Sequence, residues 1–445
     1  MLNKLLCLAF FGTFSAYSQA PELAQFHPAK APPAEKLLLK QGDRLAICGD
    51  SITEQKMYSR IVEDYLTMCV PELNITVRQY GWSGEKASGF LARLTNDCLR
   101  FNPTVATTCY GMNDHEYKPY EERIGQTYRE KSTAIIEAFK ANGVRVIQGS
   151  AGCVGKMPGW VKGANGSVND LNLNLCELRN IGIELARTEK VGFADVFWPM
   201  LTAGVTAHEK YGTNFAISGG DGVHPNWAGH TVMAYAFLKA FGLSGDIGTF
   251  TVDLKNRKMK ATDGHRVVSS GADGFELTST RYPFCACIGA TNCAASYPPC
   301  AGGDETRDNT IRSAMTLIPF NQELNRLVLV AKNGKSKNYR VSWGPAAAAP
   351  SETRTFSASQ LERGINLAEE FPQNPFAAAF AKVDAAVAAK EAYETRQIKN
   401  IFHGAEGKAD METAAQKTEA ERGPLALAMH EALVPVTHRI RIEPL

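Results

Sequence analysis

The sequence predicts an α/β protein that begins with a parallel sheet covered by helices and continues into a small β-rich domain and a helical region. Between residues 44 and 242, short apolar runs alternate with longer segments whose apolar residues recur at helical spacing. After Gly242 the pattern changes to short β-prone runs separated by Gly, Asp and Asn turns. Strands that alternate with helices over short connections are typical of a parallel sheet with both faces covered.

The first twenty residues have the pattern of a secretory signal peptide. Lys4 precedes the apolar run 5–14, and Ser18-Gln19-Ala20 places small residues before a cleavage point after Ala20. A membrane anchor is the alternative, but the run is shorter than the roughly 20 apolar residues that span a bilayer. We therefore expect residues 1–20 to be a signal peptide and the protein to be secreted or periplasmic. The formal net charge of +2 gives no electrostatic reason to expect a nucleic-acid partner.

Residues 21–242 form the predicted α/β domain. Its strands are expected at five apolar runs: 45–48, 75–77, 105–109, 144–147 and 193–197. The spacing of Tyr58, Ile61 and Tyr65 predicts a helix after the first strand. Gly143, which follows Asn142, predicts a helix stop directly before the fourth strand.

Two further regions follow the α/β domain. Residues 243–350 contain short strand-like runs such as 250–254, 327–330 and 339–343, and we expect a small β-rich domain there. Residues 351–445 are expected to be mainly helical. An apolar stripe within them predicts a helix that packs against another domain, and it consists of Phe376, Phe380, Val383 and Val387.

The cysteines indicate an oxidising compartment if the signal peptide is real. Of eleven cysteines, Cys7 lies in the signal peptide, and four others crowd into sixteen residues: Cys285, Cys287, Cys293 and Cys300. We expect two disulfides there, with three possible connectivities. A zinc site is the alternative, but the cluster has no Cys-x-x-Cys pair. Cys48 and Cys109 lie in apolar strands and are expected to be buried free thiols.

Three successive strand ends carry groups suited to acyl chemistry. Ser51 follows the first strand, Gly84 the second and Asn113 the third. Ser51 alone could equally be a helix cap, and the segment lacks the pattern of a phosphate-binding loop. Because parallel strands bind ligands at their carboxyl ends, we expect the three residues to converge. A hydroxyl, a glycine N–H and a side-chain amide together predict a nucleophile beside an oxyanion hole.

A base for the hydroxyl occurs late in the α/β domain. Asp221 and His224 lie three residues apart in a Gly-rich loop, and Pro225 follows at the expected start of a helix. This separation lets the carboxylate reach Nδ1 of the imidazole and leaves Nε2 to face Ser51. By itself, the pair could instead be a helix cap with a surface histidine.

Together these residues resemble the SGNH hydrolase superfamily, also called GDSL esterases and lipases. The resemblance covers roughly residues 40–242 and rests on Gly49-Asp50-Ser51, Gly84, Gly111-x-Asn113-Asp114 and Asp221-x-x-His224-Pro225. It implies a flavodoxin-like three-layer α/β/α fold and ester hydrolysis without a metal or other cofactor. It also implies that Ser51 is the nucleophile, His224 the base and Asp221 its orienting carboxylate. The Ser51 N–H, the Gly84 N–H and the Asn113 side chain would form the oxyanion hole.

The substrate is expected to be a small-molecule or polysaccharide ester. Trp82 and Trp227 lie in loops near the predicted site and could stack on sugar rings, as could Tyr110, Tyr117 and Trp160. No long apolar lid segment accompanies the motifs, which favours a carbohydrate O-acetyl esterase. The alternatives are a lipase or arylesterase of the same family, and a catalytically silent glycan-binding protein.

Overall fold

The first half of the chain forms the predicted parallel sheet. In the computed structural model, the described residues are 21–34, 36–162, 166–271, 273–286 and 303–445. Five strands, all parallel, are arranged in the order β2-β1-β3-β4-β5. They are β1 Arg44–Gly49, β2 Thr76–Gly81, β3 Val105–Cys109, β4 Arg145–Gly149 and β5 Gly192–Ala194.

Helices connect these strands and cover both faces of the sheet. They are α1 Ser51–Glu54, α2 Tyr58–Met68, α3 Ala87–Asp97, α4 Glu122–Ala141, α5 Val168–Glu189, α6 Phe197–Tyr211 and α7 Trp227–Ala240. Successive residues of β1 alternate between two cores. Leu45 and Ile47 lie in one core, while Ala46 and Cys48 lie in the other. The flavodoxin-like three-layer prediction is therefore confirmed.

The strand order places a crevice beside β1. The chain leaves β1 for β2 on one side and later returns to β3 on the other side. The loops that follow β1 and β3 therefore run in opposite directions, which is where ligands bind in sheets of this type. Ser51 follows β1 and Asn113 follows β3, so the topology itself brings these two residues to the crevice.

Two further sheets form the β-rich part of the chain. A four-stranded sheet has the order β13-β10-β6-β7, and a five-stranded antiparallel sheet has the order β12-β11-β14-β9-β8. Phe250 links the two sheets, because its ring lies 5.1 Å from that of His265 and 5.9 Å from that of His438. The strands are β6 Asp246–Asp253, β7 Lys258–Ala261, β8 His265–Gly271, β9 Gly274–Ser279, β10 Arg326–Lys332, β11 Asn338–Pro345, β12 Glu352–Ser357, β13 Ile365–Asn366 and β14 Val436–Pro444.

The C-terminal region is helical but also contributes strands. Its helices and the two short ones before it are α8 Ile311–Met315, α9 Phe320–Leu324, α10 Ala358–Arg363, α11 Leu367–Glu370, α12 Ala377–Arg396, α13 Ala405–Ala409 and α14 Met411–Ala432. A π-helical turn, Gln397–Phe402, continues α12. Strand β14 pairs with both β11 and β9, so it lies in the middle of the five-stranded sheet. The expected boundary at residue 350 therefore does not separate two structural units.

Helix α12 covers the open edge of the parallel sheet at β2. The apolar stripe predicted from Phe376 to Val387 is buried. Further along the same helix, Nζ of Lys390 donates to the Val77 carbonyl at 2.9 Å. Glu394 accepts a hydrogen bond from the Gln79 N–H at 3.2 Å. Arg422 of α14 donates to the same Val77 carbonyl at 3.1 Å. Because an unpaired edge strand exposes backbone groups that need partners, these side chains complete the sheet.

The described cysteines are free thiols. Cys48 and Cys109 are buried as predicted. Cys285 is also buried, and its thiol donates to Oδ1 of Asn374 at 3.4 Å. Cys287, Cys293 and Cys300 lie outside the described residues, as does the signal peptide 1–20. The structure gives Cys285 as a free thiol and does not describe the other three residues, so the two disulfides are not shown and stay a prediction for the exported protein. Within the described ranges, no helix has the length and apolarity to cross a membrane.

Candidate active site

Ser51 begins α1 at the carboxyl end of β1. The side chain of Asp50 caps this short helix, because its Oδ1 accepts a hydrogen bond from the Ile52 N–H at 3.0 Å. Asp50 therefore fixes the turn from strand to helix, and Ser51 stands at its apex. Oγ of Ser51 lies 2.8 Å from Nε2 of His224, within hydrogen-bond distance.

His224 is held in place by Asp221. Oδ2 of Asp221 lies 2.7 Å from Nδ1 of the imidazole, while Oδ1 accepts the backbone N–H groups of Val223 and His224 at 2.9 Å each. Partial burial raises the pKa of Asp221, but these hydrogen bonds outweigh it and the net pKa is lowered. The carboxylate is therefore charged at neutral pH and accepts the Nδ1 proton. That tautomer leaves Nε2 free to accept a proton from Ser51.

Gly84 and Asn113 lie in the next two loops. Gly84 follows β2 in a turn with φ of +73°, a conformation that glycine adopts without strain. Nδ2 of Asn113 donates to the Glu85 carbonyl at 3.1 Å, and its Oδ1 accepts from the Tyr117 hydroxyl at 3.3 Å. The Asn113 amide is thus oriented by the residue that directly follows Gly84. An asparagine amide has two N–H donors, and the contact with Glu85 uses one of them.

Asp114 joins these two loops. Its carboxylate accepts the Gly111 N–H at 2.9 Å within its own loop and the Ala87 N–H at 3.0 Å at the start of α3. Burial raises the pKa of Asp114 to about 6, against the lowering effect of the two amides. Asp114 forms part of the sequence motif, but its linking role was not predicted because the motif does not show which amides it meets.

Asp50 is a second acidic residue behind the site. It is only 2% exposed, and burial raises its pKa to about 7, with smaller contributions from the charges of Asp114 and Glu85. In the sequence, Asp50 is identified only as part of the motif Gly49-Asp50-Ser51. The pKa of Asp50 is near neutral because the carboxyl end of β1 is buried, and the motif alone does not show this burial.

Trp160 is the exposed aromatic residue beside the candidate base. Its side chain is 48% exposed, and its ring lies 5.8 Å from the His224 ring and 6.1 Å from the Tyr117 ring. Tyr110, in contrast, is buried and donates its hydroxyl proton to Glu85 at 3.0 Å. Of these three aromatics, Trp160 offers the open surface next to the reacting groups.

The two tryptophans chosen from the sequence for sugar binding are buried or partly buried. Trp227 starts α7 and is only 3% exposed, so its ring is not open to a substrate and this prediction fails. The ring of Trp82 is partly buried against the C-terminal region. It lies 4.9 Å from the His403 ring and 5.1 Å from both Nζ of Lys399 and Cζ of Arg93. Proximity in sequence to a site loop did not distinguish packing residues from exposed ones.

The donors of a metal site are absent from the described part of the chain. No group of three or more His, Cys, Asp or Glu side chains there is arranged to hold a metal ion. The site is built from a hydroxyl, an imidazole, a carboxylate and amide groups.

The sequence around this site matches a known family. Residues 47–232 match the model of the GDSL-like lipase/acylhydrolase family. The α/β domain belongs to this family. Lipases and acylhydrolases cleave ester bonds, and the protein is a hydrolase of this class. No curated protein matches the chain in sequence.

Several solved structures are similar to this chain, and one of them shares its fold over most of the length. A gut microbial diltiazem-metabolizing enzyme is 20% identical, with a TM-score of 0.70, and the match covers 92% of this chain and 100% of that chain. The shared fold thus extends through the β-rich and C-terminal regions. An α/β hydrolase from the metagenome of Lake Arreo, Spain, is 20% identical, covering 46% of this chain and 98% of that one, with a TM-score of 0.37. The acetylxylan esterase Axe2 of Geobacillus stearothermophilus is 19% identical, and the match covers 46% of this chain and 96% of that chain. Its TM-score is also 0.37.

Proposed function

We propose that the protein is an exported serine esterase that uses Ser51, His224 and Asp221 as a catalytic triad. The observation that carries this proposal is the continuous hydrogen-bond chain from Asp221 to His224 to Ser51, with distances of 2.7 and 2.8 Å. Such a chain activates a hydroxyl, because the imidazole accepts its proton and the carboxylate stabilises the imidazolium that forms.

The reaction would proceed in two stages. As Oγ of Ser51 attacks the ester carbonyl, its proton passes to Nε2 of His224, and the carbonyl oxygen becomes an oxyanion. The N–H groups of Ser51 and Gly84 and Nδ2 of Asn113 would donate to this oxyanion. His224 then protonates the departing alcohol, which leaves an acyl group on Ser51. In the second stage His224 takes a proton from water, and the water oxygen attacks the acyl carbonyl. The bond to Oγ of Ser51 then breaks, which releases the carboxylic acid, and His224 returns the proton to Oγ.

The substrate we favour is an acetyl ester of a carbohydrate. The exposed Trp160 ring supports this choice, because a flat apolar face beside the base can stack on a sugar ring that carries the ester. Export, expected from residues 1–20, would place the enzyme where polysaccharides are found. A lipase or arylesterase is the second candidate. A silent glycan-binding protein is disfavoured because the three triad side chains are in hydrogen-bond contact.

A substrate panel tests both parts of the proposal. The panel contains p-nitrophenyl esters from acetyl to octanoyl and acetylated oligosaccharides, with wild type, Ser51→Ala and Trp160→Ala as the enzymes. We expect Ser51→Ala to lose activity on every ester. Trp160→Ala should lose more activity on the oligosaccharide than on p-nitrophenyl acetate, since only the sugar uses the ring. Equal losses on the oligosaccharide and on p-nitrophenyl acetate would show that Trp160 does not bind the sugar. A preference for the octanoyl ester would favour the lipase.

A further inference from the structure

The loop that carries Gly84 is fastened to the helix that carries Ser51. Glu85 N–H closes the loop by donating to the Trp82 carbonyl at 3.2 Å, and Trp82 N–H donates to the Gly49 carbonyl at 3.0 Å. The Ser83 N–H donates to Oε2 of Glu54, at the end of α1, at 2.5 Å. Glu54 therefore holds the backbone immediately before Gly84.

The close approach of this loop to α1 depends on Gly81. A Cβ atom at residue 81 would lie 2.1 Å from the backbone nitrogen of Glu54, so a larger residue would push the two segments apart. The loop and the helix thus form one packed unit. The Glu54 side chain adds a hydrogen bond to this unit at Ser83, the residue before Gly84.

Glu54 is in turn held by the C-terminal region. Nζ of Lys399 lies 2.7 Å from Oε1 and 2.9 Å from Oε2 of Glu54, in an ion pair whose side chains are 26% and 21% exposed. Lys399 belongs to the π-helical turn 397–402, and its Nζ also lies 5.1 Å from the Trp82 ring. The ring of His403 packs on the edge of Trp82, and its Nε2 lies 2.8 Å from Oδ2 of Asp97.

We propose that Lys399 is a positioning residue for the oxyanion hole and acts through Glu54 and the Ser83–Gly84 backbone. This inference rests on the proposed function of Gly84. The family match ends at residue 232, so the C-terminal region supplies this support from outside the matched segment. A donor stabilises a developing charge only if it is held in place before the reaction, and errors of about 1 Å can cost about 100-fold in rate.

Lys399→Met tests the proposal. We expect kcat on p-nitrophenyl acetate to fall roughly tenfold with little change in KM, because the loosened donor acts mainly on the transition state. Lys399→Arg should retain most of the rate, since it preserves the ion pair. The matched control is Lys417→Met, which breaks the exposed pair between Lys417 and Glu406 in the same region and should leave kcat unchanged. Hydrogen exchange of the loop 82–85 should be faster in Lys399→Met only.

A double-mutant cycle shows whether Lys399 acts through Glu54. Glu54→Gln keeps an oxygen that can accept from Ser83 but removes the charge, and the combined variant should lose little more than the larger single loss. Multiplicative losses would contradict the proposal. So would a kcat within twofold of wild type in Lys399→Met, or an effect confined to KM. The Ser51→Ala variant distinguishes a failure of the serine mechanism from a failure of the positioning role of Lys399. Activity that survives in Ser51→Ala refutes the serine mechanism, whereas loss there with a normal Lys399→Met refutes only the positioning role.

Discussion

Asp50 is a buried carboxyl beside the candidate nucleophile, and replacing it with asparagine should change how stability depends on pH. In Asp50→Asn, the side-chain oxygen can still accept the Ile52 N–H and cap α1, but the group no longer titrates. Burial raises the pKa of Asp50 from 3.8 to about 7, so the folded state favours its neutral form. The wild-type protein should therefore lose stability relative to the variant as pH rises.

The size of this effect follows from the pKa. The difference between 3.8 and about 7 is about three pH units, and each unit corresponds to about 1.4 kcal/mol. The stability that neutral Asp50 supplies is fully present below its unfolded pKa and is lost as pH rises through about 7. The advantage of Asp50→Asn should thus grow from near zero at pH 4 to at most about 4 kcal/mol at pH 8.

Urea unfolding of both proteins between pH 4 and pH 8, followed by tryptophan fluorescence, measures this difference. Asp410→Asn is the matched control, because Asp410 also caps a helix, α14, but is exposed and its hydrogen bonds lower its pKa. This control should gain no stability at high pH. Parallel pH profiles for wild type and Asp50→Asn would refute the reasoning, because Asp50 would then titrate equally in the folded and unfolded states.

Three further predictions concern the site and its surroundings. Asn113→Ala should lower kcat by roughly 10²–10³ with a smaller effect on KM, as expected for an oxyanion donor; steady-state kinetics showing a change in KM alone would make it a substrate contact. EDTA should leave the rate unchanged, and inhibition reversed by one added metal would contradict a metal-free reaction. In exported protein, mass spectrometry of non-reduced peptides should find no free thiol at Cys285, Cys287, Cys293 or Cys300. Four free thiols, or bound zinc, would refute the disulfide prediction.

The sequence predicted the parts of the fold that depend on local patterns. Apolar runs located all five parallel strands within a few residues, because a strand buried on both faces must be apolar along its length. The sequence could place Ser51, Gly84 and Asn113 at one edge of the sheet, because they follow three parallel strands whose carboxyl ends lie at the same edge. Hydrogen bonds join Ser51, His224 and Asp221, the three residues that the motif selected, and their catalytic roles are a proposal.

Long-range packing could not be predicted in the same way. Strand β14 was missed because the Ala-, Glu- and Lys-rich segment before it dominates the composition, and its partners β11 and β9 lie far away in sequence. Trp82 and Trp227 were misjudged because burial depends on which element packs above them. The contact of Lys399 with Glu54 joins residues 345 positions apart, and neither residue lies in a recognisable motif.

The central claim is that Ser51 is a nucleophile activated by His224. The most direct measurement is the intact mass of the protein after reaction with a fluorophosphonate, followed by mapping of the labelled peptide. We predict one adduct per chain, located on Ser51, with none in Ser51→Ala and strongly slowed labelling in His224→Ala. No adduct on wild type, or an adduct on a different residue that persists in Ser51→Ala, would contradict the claim.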